Sequence, residues 1–440
     1  MSSTFTPPDP IDLVGTPRRS GSSRSLETPG PPDPPATTGG SGPPTTPAPP
    51  GTSGSSGGLA GAVTESFLPY VLARIVVLGA LGLAHFIVDR THPHTAGVAA
   101  RVHEGLLGWD AGFYETIAKV GYHPLGKESL RFFPAVPILT HALAWVPGLS
   151  DGASLLVISN VAAFIATVLL FVLVRRETGD LLTARRAIWF LSLGPAAFVL
   201  VMGYAESTLL CLSIGCFLAL RPQGANAGQA PGHAPAPRPS FALAGVLGFV
   251  GALTRPIGVL LALVVAVELV RWWVRLGRAG RLAGLAATAA PLLGLLAFCL
   301  WAHHEVGDLF APVRVQFEST HHGGLSDPFV TIAHDARGLF HRHVGTALHV
   351  PWVVVALILL VVCWRRLPAS YTVFAAAIVV VALAGKNLDS FERYALSAFP
   401  LTVAAAVLCR GPRIERVVLV LLPAVLAGYA LLAFLNISVP

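Results

Sequence analysis

The stretch SFLPYVLARIVVLGALGLAHFIV, residues 66–88, is an almost unbroken run of apolar side chains. A helix needs roughly 20 predominantly apolar residues to cross the hydrocarbon core of a bilayer. The residues before this stretch extend too far and are too polar to form a secretory signal peptide with it. We therefore expect the stretch to remain in the protein as a membrane-spanning helix, and the fold depends on how often the same pattern recurs.

Apolar segments of similar character recur along the rest of the chain. Further candidate spans lie near residues 153–174, 187–203, 206–220, 284–302, 346–364, 369–385, 394–410 and 417–436. Residues 240–270 are too long for one comfortable span and are interrupted by the sequence TRP, which predicts a tight hairpin with Arg255 at its outer tip. Residues 132–148 are short and broken by prolines, so we expect them to enter the membrane without crossing it.

The composition supports a protein with many membrane helices. Hydrophobic residues make up 53% of the 440 residues, charged residues make up 12%, and the mean hydropathy is +0.66. The predicted fold class is therefore an all-α polytopic membrane protein embedded in a lipid bilayer. The net charge of +7 does not predict a nucleic-acid partner, because the Lys and Arg residues are scattered in pairs between apolar segments, as orientation signals are.

The basic clusters predict the orientation of the chain, since short loops rich in Lys and Arg stay in the cytoplasm. These clusters lie at residues 175–186, 271–281, 365–366 and 410–416. All of them fit one arrangement of about eleven transmembrane helices, with juxtamembrane or re-entrant helices in the outer loops. Residues 1–60, rich in Pro, Gly, Ser and Thr, are then a disordered cytoplasmic tail ahead of a membrane domain at 61–440. Residues 221–239 form a low-complexity cytoplasmic loop, and 90–131 and 303–345 are outer loops.

The stretch GWDAGFYETIAKVGYHP, residues 108–124, places an acid beside a tryptophan in the first outer loop. Apolar residues around it recur at helical spacing, which predicts a short helix in the membrane interface. They are Leu106, Phe113, Ile117 and Val120. Such a helix holds Asp110 at the mouth of the membrane domain, where a carboxylate can deprotonate a hydroxyl and Trp109 supplies an apolar wall. The alternative is that Asp110 is a helix N-cap and Trp109 an interfacial belt residue.

Three more sites place polar groups where they are costly. The sequence MGYAES contains Tyr204 and Glu206 at a helix turn, and an acid at membrane depth indicates a functional site. Arg255 interrupts an apolar run, and the sequence KNLDSFERY contains Lys386 and Arg393. Cations that converge at an outer mouth suit a phosphate, which a guanidinium can bind bidentately. Local ion pairs or snorkelling side chains are the alternative for each of these residues.

Histidines concentrate in and just after the second predicted outer loop, with eight of the fifteen in the chain. They are His303, His304, His321, His322, His334, His341, His343 and His349. Their spacing provides HH doublets and an HRH triplet, but no pair at metal-ligand spacing with a matching carboxylate. We therefore expect solvated loop histidines, no metal site and no cofactor.

In chain order, these segments resemble the PIG-V family, the mannosyltransferases that add the second mannose in GPI-anchor synthesis, together with their bacterial relatives. The resemblance rests on landmarks spread over most of residues 65–436. They are WDAGFYETIAKVGY at 109–122, FFPAVP at 132–137, YAES at 204–207, LTRPIG at 253–258, VGDLF and a following Gln within 306–316, and RYALSAFPL at 393–401. Their order and their common placement on the outer side make the resemblance specific.

The resemblance implies a GT-C glycosyltransferase of the cell membrane with an extracytoplasmic active site. It implies that a mannosyl residue passes, with inversion, from a polyprenyl-phosphate donor to a glycolipid, glycan or protein acceptor. The family's catalytic acid falls on Asp110. The residues expected to bind substrate are Trp109, Tyr204, Glu206, Arg255, Asp308, Gln316, Lys386, Arg393 and Tyr394.

Three other functions stay open at this point. A transporter or flippase of a lipid-linked sugar would also place charges on broken helices. It would call for gates on both sides, whereas the polar sites here gather on one side and the sequence shows no inverted repeat. A non-catalytic scaffold subunit would be expected to lack Asp110, which is present. A GT-C enzyme that moves a different sugar is compatible with the same residues.

Overall fold

The computed structural model describes residues 58–91, 96–222, 238–317, 326–327, 330–332, 349–385, 388 and 390–437. They belong to one compact unit, Gly54–Pro440. The predictions for the N-terminal tail, most of the low-complexity loop, most of the histidine-rich loop and Lys386 lie outside these residues. Regular structure in the described part consists of α-helices and short 3-10 turns, which confirms the predicted all-α class.

The helices are numbered in chain order on either side of a break at Arg255. The helices before the break are α1 (Leu59–Thr91), α2 (Ala96–Glu104), α3 (Asp110–Val120), α4 (Ala135–Ala144), α5 (Asp151–Thr178), α6 (Leu181–Leu193), α7 (Glu206–Leu220) and α8 (Phe241–Thr254). The helices after it are α9 (Leu261–Trp272), α10 (Arg278–Val306), α11 (Ala311–Arg314), α12 (Val350–Arg366), α13 (Ala369–Leu383), α14 (Phe391–Ser397), α15 (Phe399–Leu408) and α16 (Pro412–Phe434). The most extensive packing joins α8 to α10 and α5 to α7.

Several helices have the length and composition of membrane spans. In the described part, α1, α5, α10, α16 and the segment Pro256–Arg275 meet both requirements, and the bent pair α14–α15 adds a sixth candidate. Helices α4, α7, α8 and α13 are apolar but shorter. The ten residues of α4 extend only about 15 Å, half of the hydrocarbon core. The chain is therefore a multi-pass membrane protein, while the count of about eleven crossings stays a prediction.

Residues 187–203 do not form the single helix that their hydropathy predicts. Helix α6 ends at Leu193, and Gly194 has an extended ψ of 161°. The cause is Pro195, which cannot donate a helical hydrogen bond and disfavours the helical region for the residue before it. A 3-10 turn at Ala197–Leu200 follows, and α7 starts only after it. An irregular connecting segment, residues 194–205, therefore lies between α6 and α7.

Residues 394–410 were expected as one span and are instead divided between α14 and α15, which meet at an angle of 80°. Pro400 is at the start of α15. Because proline removes one helical hydrogen bond and its ring clashes with the preceding turn, a continuous helix through this position is disfavoured. Arg393 consequently stands on a short helix, α14, that is bent away from α15.

The predicted break at Arg255 is present. Helix α8 ends at Thr254, Arg255 is extended with φ −155° and ψ 152°, and Pro256 starts a 3-10 turn that leads into α9. The residue before a proline is disfavoured in the helical region, which explains where α8 ends. A side chain at Gly258 would clash with the backbone of Gly251, so the chain folds back tightly against the last turns of α8.

A buried ionic cluster joins four helices at ends predicted to be cytoplasmic. Arg221, just after α7, pairs with Glu177 of α5 and donates to Glu268 of α9 at 2.8 Å. Ser370 of α13 donates to Glu268 at 2.6 Å, and Arg271 lies 3.3 Å from the same carboxylate. The side chains of Arg221 and Glu268 are 5% and 1% exposed. The cluster therefore links α5, α7 and α9 through the buried charges of Glu177, Arg221 and Glu268, and α13 through the hydroxyl of Ser370.

We expect Glu268→Ala to destabilise the folded protein by about 3 kcal/mol, because removing one partner of a buried ion pair leaves charge uncompensated. The matched control is Glu65→Ala, since the Glu65–Arg185 pair is partly exposed, at 23% and 42%, and such pairs contribute at most about 1 kcal/mol. Thermal unfolding of the purified proteins in one detergent measures both changes. Equal Tm losses for the two variants would contradict the structural role of the cluster.

Candidate active site

Helix α3 begins at Asp110, directly after a residue with an unusual backbone. Trp109 has a φ of 59°, in the region that favours glycine. Its indole N–H donates to the carbonyl oxygen of Ala433 at 3.1 Å, and the guanidinium of Arg101 lies 4.1 Å from the centroid of its ring. Trp109 is itself the N-cap residue, so the alternative interpretation of Asp110 as the N-cap is wrong. These contacts fix the position from which the Asp110 side chain projects.

The buried face of α3 coincides only partly with its apolar positions. Ile117 is buried, whereas Phe113 and Val120 are 39% and 48% exposed and Leu106 belongs to the preceding 3-10 turn, and the place of this helix in the membrane interface stays a prediction. The other buried residues of α3 are Ala111, Tyr114 and Ala118. The face is shifted because α3 packs against α4 and α5, while the Phe113 ring stacks on Phe132 with centroids 4.6 Å apart.

One guanidinium joins two carboxylates from distant parts of the chain. Nη1 of Arg393 donates to Oδ2 of Asp110 at 2.6 Å, and its Nε lies 3.1 Å from Oε1 of Glu206. Arg255 pairs with the same oxygen of Glu206. We call these four residues the ionic network. Their side chains are 1% exposed for Glu206, 8% for Arg393, 11% for Arg255 and 26% for Asp110, so Asp110 is the member most accessible to a ligand.

Two tyrosines lie against the guanidinium groups of the ionic network. Arg393 is 5.5 Å from the ring centroid of Tyr204, and Arg255 is 5.7 Å from that of Tyr394. A guanidinium within about 6 Å of an aromatic centroid is attracted to the face of the ring. Tyr204 is fully buried, whereas Tyr394 lines the adjoining cavity. Tyr204 therefore supports Arg393, and Tyr394 is placed to touch a ligand.

The ionic network borders a cavity of about 250 Å³. Small-molecule sites begin at about 300 Å³, so the space suits a ligand group of modest size. The predicted site residues that line it are Asp110, Arg255, Gln316, Arg393 and Tyr394. Apolar side chains from the 3-10 turn after Arg255, from α10 and from α13 complete its wall. Charged groups and apolar surface thus meet in one enclosure.

Two further residues of the cavity wall, Arg131 and Tyr114, are not among those predicted from the sequence. Arg131 ends a 3-10 turn, and its carbonyl oxygen accepts a hydrogen bond from Nε2 of Gln316 at 3.1 Å. Its position directly before the FFP landmark was the available signal, since Phe132 lines the same cavity. With Arg131, three guanidinium groups and two carboxylates leave one net positive charge at the site.

The carboxyl group of Asp110 is held in its ionised form. Burial alone would raise its pKa, but the charges of Arg393, Arg255 and Arg131 together outweigh burial and hold the pKa below its ordinary value. Asp110 is therefore a carboxylate at neutral pH and can accept a hydrogen bond from a hydroxyl. Because a low pKa makes it a weak base, it can take a proton only as the acidity of that hydroxyl rises during bond formation.

Four predicted substrate-binding residues of the described part do not line the cavity: Trp109, Tyr204, Glu206 and Asp308. Asp308 pairs with Arg314, and this hydrogen bond lowers the pKa of the Asp308 carboxyl. Trp109 is engaged by Ala433 and supports the start of α3. Lys386 lies outside the described residues. Asp308 and Trp109 therefore lie outside the lining of this cavity, and their contact with substrate stays a prediction.

His349 departs from the predicted solvated histidines. It is buried, its Nδ1 lies 2.7 Å from Glu392, and the hydroxyl of Tyr429 donates to the same carboxylate at 3.3 Å. His303 and His304 are exposed, and the other five histidines of that group lie outside the described residues. Within the described part of the chain, no three His, Cys, Asp or Glu side chains are grouped so that they could hold a metal ion.

Comparison with known proteins finds structural similarity but no sequence match. No protein-family model matches the chain, and no curated protein matches it either. The chain is similar to the crystal structure of the Archaeoglobus fulgidus oligosaccharyltransferase in complex with Zn and sulfate, with a TM-score of 0.39 and 13% sequence identity. The similarity covers 74% of this chain and 48% of that chain, so this chain spans about half the length of that protein.

The lowered pKa of Asp110 predicts how stability depends on pH. The ordinary pKa of Asp is about 3.9. Because the folded protein holds Asp110 below this value, the stabilisation is fully present above about pH 4 and is lost as the pH falls through the folded-state value. We expect wild-type protein to have a higher Tm than Asp110→Asn from about pH 5 to 7, and the difference to shrink toward acid. Thermal unfolding in detergent measures this, and a difference that grows below about pH 4 would contradict the assigned charge state.

Proposed function

We propose that the protein is a GT-C glycosyltransferase that transfers a mannosyl residue from a polyprenyl-phosphate donor to an extracytoplasmic glycolipid, glycan or protein acceptor. The observation that carries the proposal is the cavity in which an ionised carboxylate, Asp110, meets the guanidinium groups of Arg131, Arg255 and Arg393. A transfer from a sugar phosphate requires both kinds of group. The carboxylate accepts the proton of the incoming hydroxyl, and the cations stabilise the negative charge of the departing phosphate.

Asp110 acts on the acceptor in this mechanism. Arg393 holds Oδ2, and Oδ1 is the oxygen that we assign to the acceptor hydroxyl. The hydroxyl oxygen forms a bond to the anomeric carbon while the bond from that carbon to the phosphate oxygen breaks on the opposite face, which inverts the configuration. The hydroxyl proton passes to Asp110, and the bonding electron pair leaves with the phosphate. General-base assistance of this kind contributes about 10²–10⁴-fold to a rate.

The arginines act on the leaving phosphate. Negative charge develops on its bridging oxygen as the bond to the sugar breaks, and preorganised cations in a partly dry cavity stabilise that charge. Arg255 and Arg393 are oriented by Glu206, and Arg131 approaches the cavity from a different part of the chain. A guanidinium can contact two phosphate oxygens at once. Arginines suffice for this role, so the mechanism needs no cofactor.

An apolar groove beside the cavity suits the hydrocarbon chain of the donor. It has a volume of about 850 Å³ and lies between α3, α4, the end of α8 and α10. Its lining includes Ile117, Pro137, Ile138, Ala142, Phe298 and Trp301. Helix α3 contributes to the cavity through Tyr114 and to the groove through Ile117, one helical turn away. A lipid with its phosphate at the arginines therefore has apolar surface within reach for its chain.

The direct test is transfer by Asp110→Asn in proteoliposomes supplied with polyprenyl-phosphate mannose and an acceptor lipid extract. We expect kcat to fall by at least about 100-fold, with little change in donor KM, because the amide cannot take the proton. The matched control is Asp89→Asn, which alters an exposed acid at the end of α1. Near-wild-type transfer by a correctly inserted Asp110→Asn variant would remove Asp110 from the mechanism. Movement of intact donor across the bilayer without transfer would favour a flippase.

Arg131 provides a second test, because the sequence landmarks alone do not single it out. We expect Arg131→Gln to lower kcat/KM for the donor by about 10–100-fold, since a hydrogen bond to a charged group contributes about 1.5–3 kcal/mol. The control is Arg90→Gln, at the exposed end of α1. Initial rates over a range of donor concentrations give both constants. Equal rates for the two variants would exclude Arg131 from the phosphate site.

A further inference from the structure

Arg74 is a charged residue inside the first membrane span. Its Nη2 donates to the carbonyl oxygen of Leu200 at 3.0 Å, its Nε to Oδ1 of Asn160 at 3.1 Å, and its Nη1 to the carbonyl oxygen of Tyr70 at 3.2 Å. The guanidinium also lies 3.5 Å from the ring centroid of Tyr70. A charge within a span is costly and by default indicates a functional role. The mechanism above leaves this residue without one.

Three side chains from α1 and α5 satisfy carbonyl groups of the connecting segment 194–205. Besides the contact of Arg74 with Leu200, Asn160 donates to the carbonyl oxygen of Val201 at 3.0 Å. The hydroxyl of Ser159 lies 2.8 Å from the carbonyl oxygen of Met202 and 3.0 Å from that of Tyr204. Irregular backbone at membrane depth is tolerated only where such groups find partners within the protein. Arg74, Asn160 and Ser159 together provide these partners.

The connecting segment leads directly into the ionic network. It ends one residue before Glu206, the carboxylate that holds both Arg255 and Arg393. It also packs closely on α5 and on the start of α3: a Cβ added at Gly203 would lie 2.8 Å from Leu155 of α5 and 3.2 Å from the Cβ of Ala111 of α3. A shift of this segment would therefore displace Glu206 and press on the helix that carries Asp110.

We infer that Arg74 is a positioning residue of the candidate active site, acting with Asn160 through the connecting segment and Glu206. Arg74 fixes the position of Glu206 relative to Arg255 and Arg393, and it touches no substrate. The planar guanidinium is suited to this role, because it reaches a carbonyl, an amide oxygen and a second carbonyl while stacking on Tyr70. A lysine ammonium cannot reproduce that set of contacts. The expected loss of kcat rests on the proposed function, whereas the coupling between Arg74 and Glu206 does not.

The test begins with Arg74→Met, with Arg74→Lys as the conservative variant and Arg185→Met as the control. Arg185 also bridges to another helix, through Glu65, but away from the ionic network. We expect Arg74→Met to lower kcat by at least about 10-fold, since small misplacements of catalytic groups cost up to about 100-fold. Donor KM should change by less than about threefold, and Arg74→Lys should recover part of the loss. Wild-type kcat in a correctly inserted Arg74→Met protein would overturn the inference.

A double-mutant cycle separates positioning from a general loss of stability. If Arg74 acts through Glu206, adding Arg74→Met to Glu206→Gln should cause little further loss of kcat, whereas independent effects would multiply. If the double variant lost kcat by the product of the two separate fold-losses, the inference would be overturned.

The same four proteins can be compared by thermal unfolding, which needs no substrate. We expect the loss of Tm in the double variant to differ from the sum of the two single losses, because the two residues act through one segment. If wild-type protein transferred no sugar, the proposed function would fail while this coupling could still be measured. If transfer occurred and the coupling were absent, only the inference about Arg74 would fail.

Discussion

The site depends on one guanidinium that holds two carboxylates. Arg393 joins Asp110, on a helix in the first loop, to Glu206, at the start of α7, although the three residues are far apart in sequence. Two carboxylates brought together without cations would repel each other and the helices that carry them. Arg393, together with Arg255, turns that repulsion into attraction. These contacts bring the starts of α3 and α7 together and contribute to the ionised state of Asp110.

The charged residues of this site stand at interruptions of apolar helices. Arg255 is the residue before a proline that ends α8, Glu206 follows the irregular segment 194–205, and Arg393 lies on a two-turn helix that meets the next one at 80°. Inside a continuous span, such side chains would face either lipid or neighbouring helices. At a helix end they can converge on one point from different directions. The interruptions thus place polar chemistry within an apolar bundle, and neighbouring side chains satisfy the backbone groups that they expose.

Much of this arrangement is predictable from local signals, and the rest requires packing. The break at Arg255 follows from Pro256, and the proximity of Asp110, Glu206, Arg255 and Arg393 agrees with their common predicted side of the membrane. The division of residues 187–203 had a local signal in Pro195, but the surrounding hydropathy outweighed it. Arg74 and His349 could not be interpreted from sequence, because a polar residue in an apolar segment acquires its role only from partners on other helices.

The contact between Trp109 and Ala433 gives the last helix a part in the position of Asp110. The carbonyl oxygen of Ala433 accepts the indole N–H of Trp109 and also the amide of Asn436, which belongs to the turn that closes α16. The positive-φ backbone of Trp109, immediately before Asp110, is thus tethered to the end of α16. Fraying of that last turn of α16, for example in a harsh detergent, would displace the carboxylate itself and would resemble an active-site lesion.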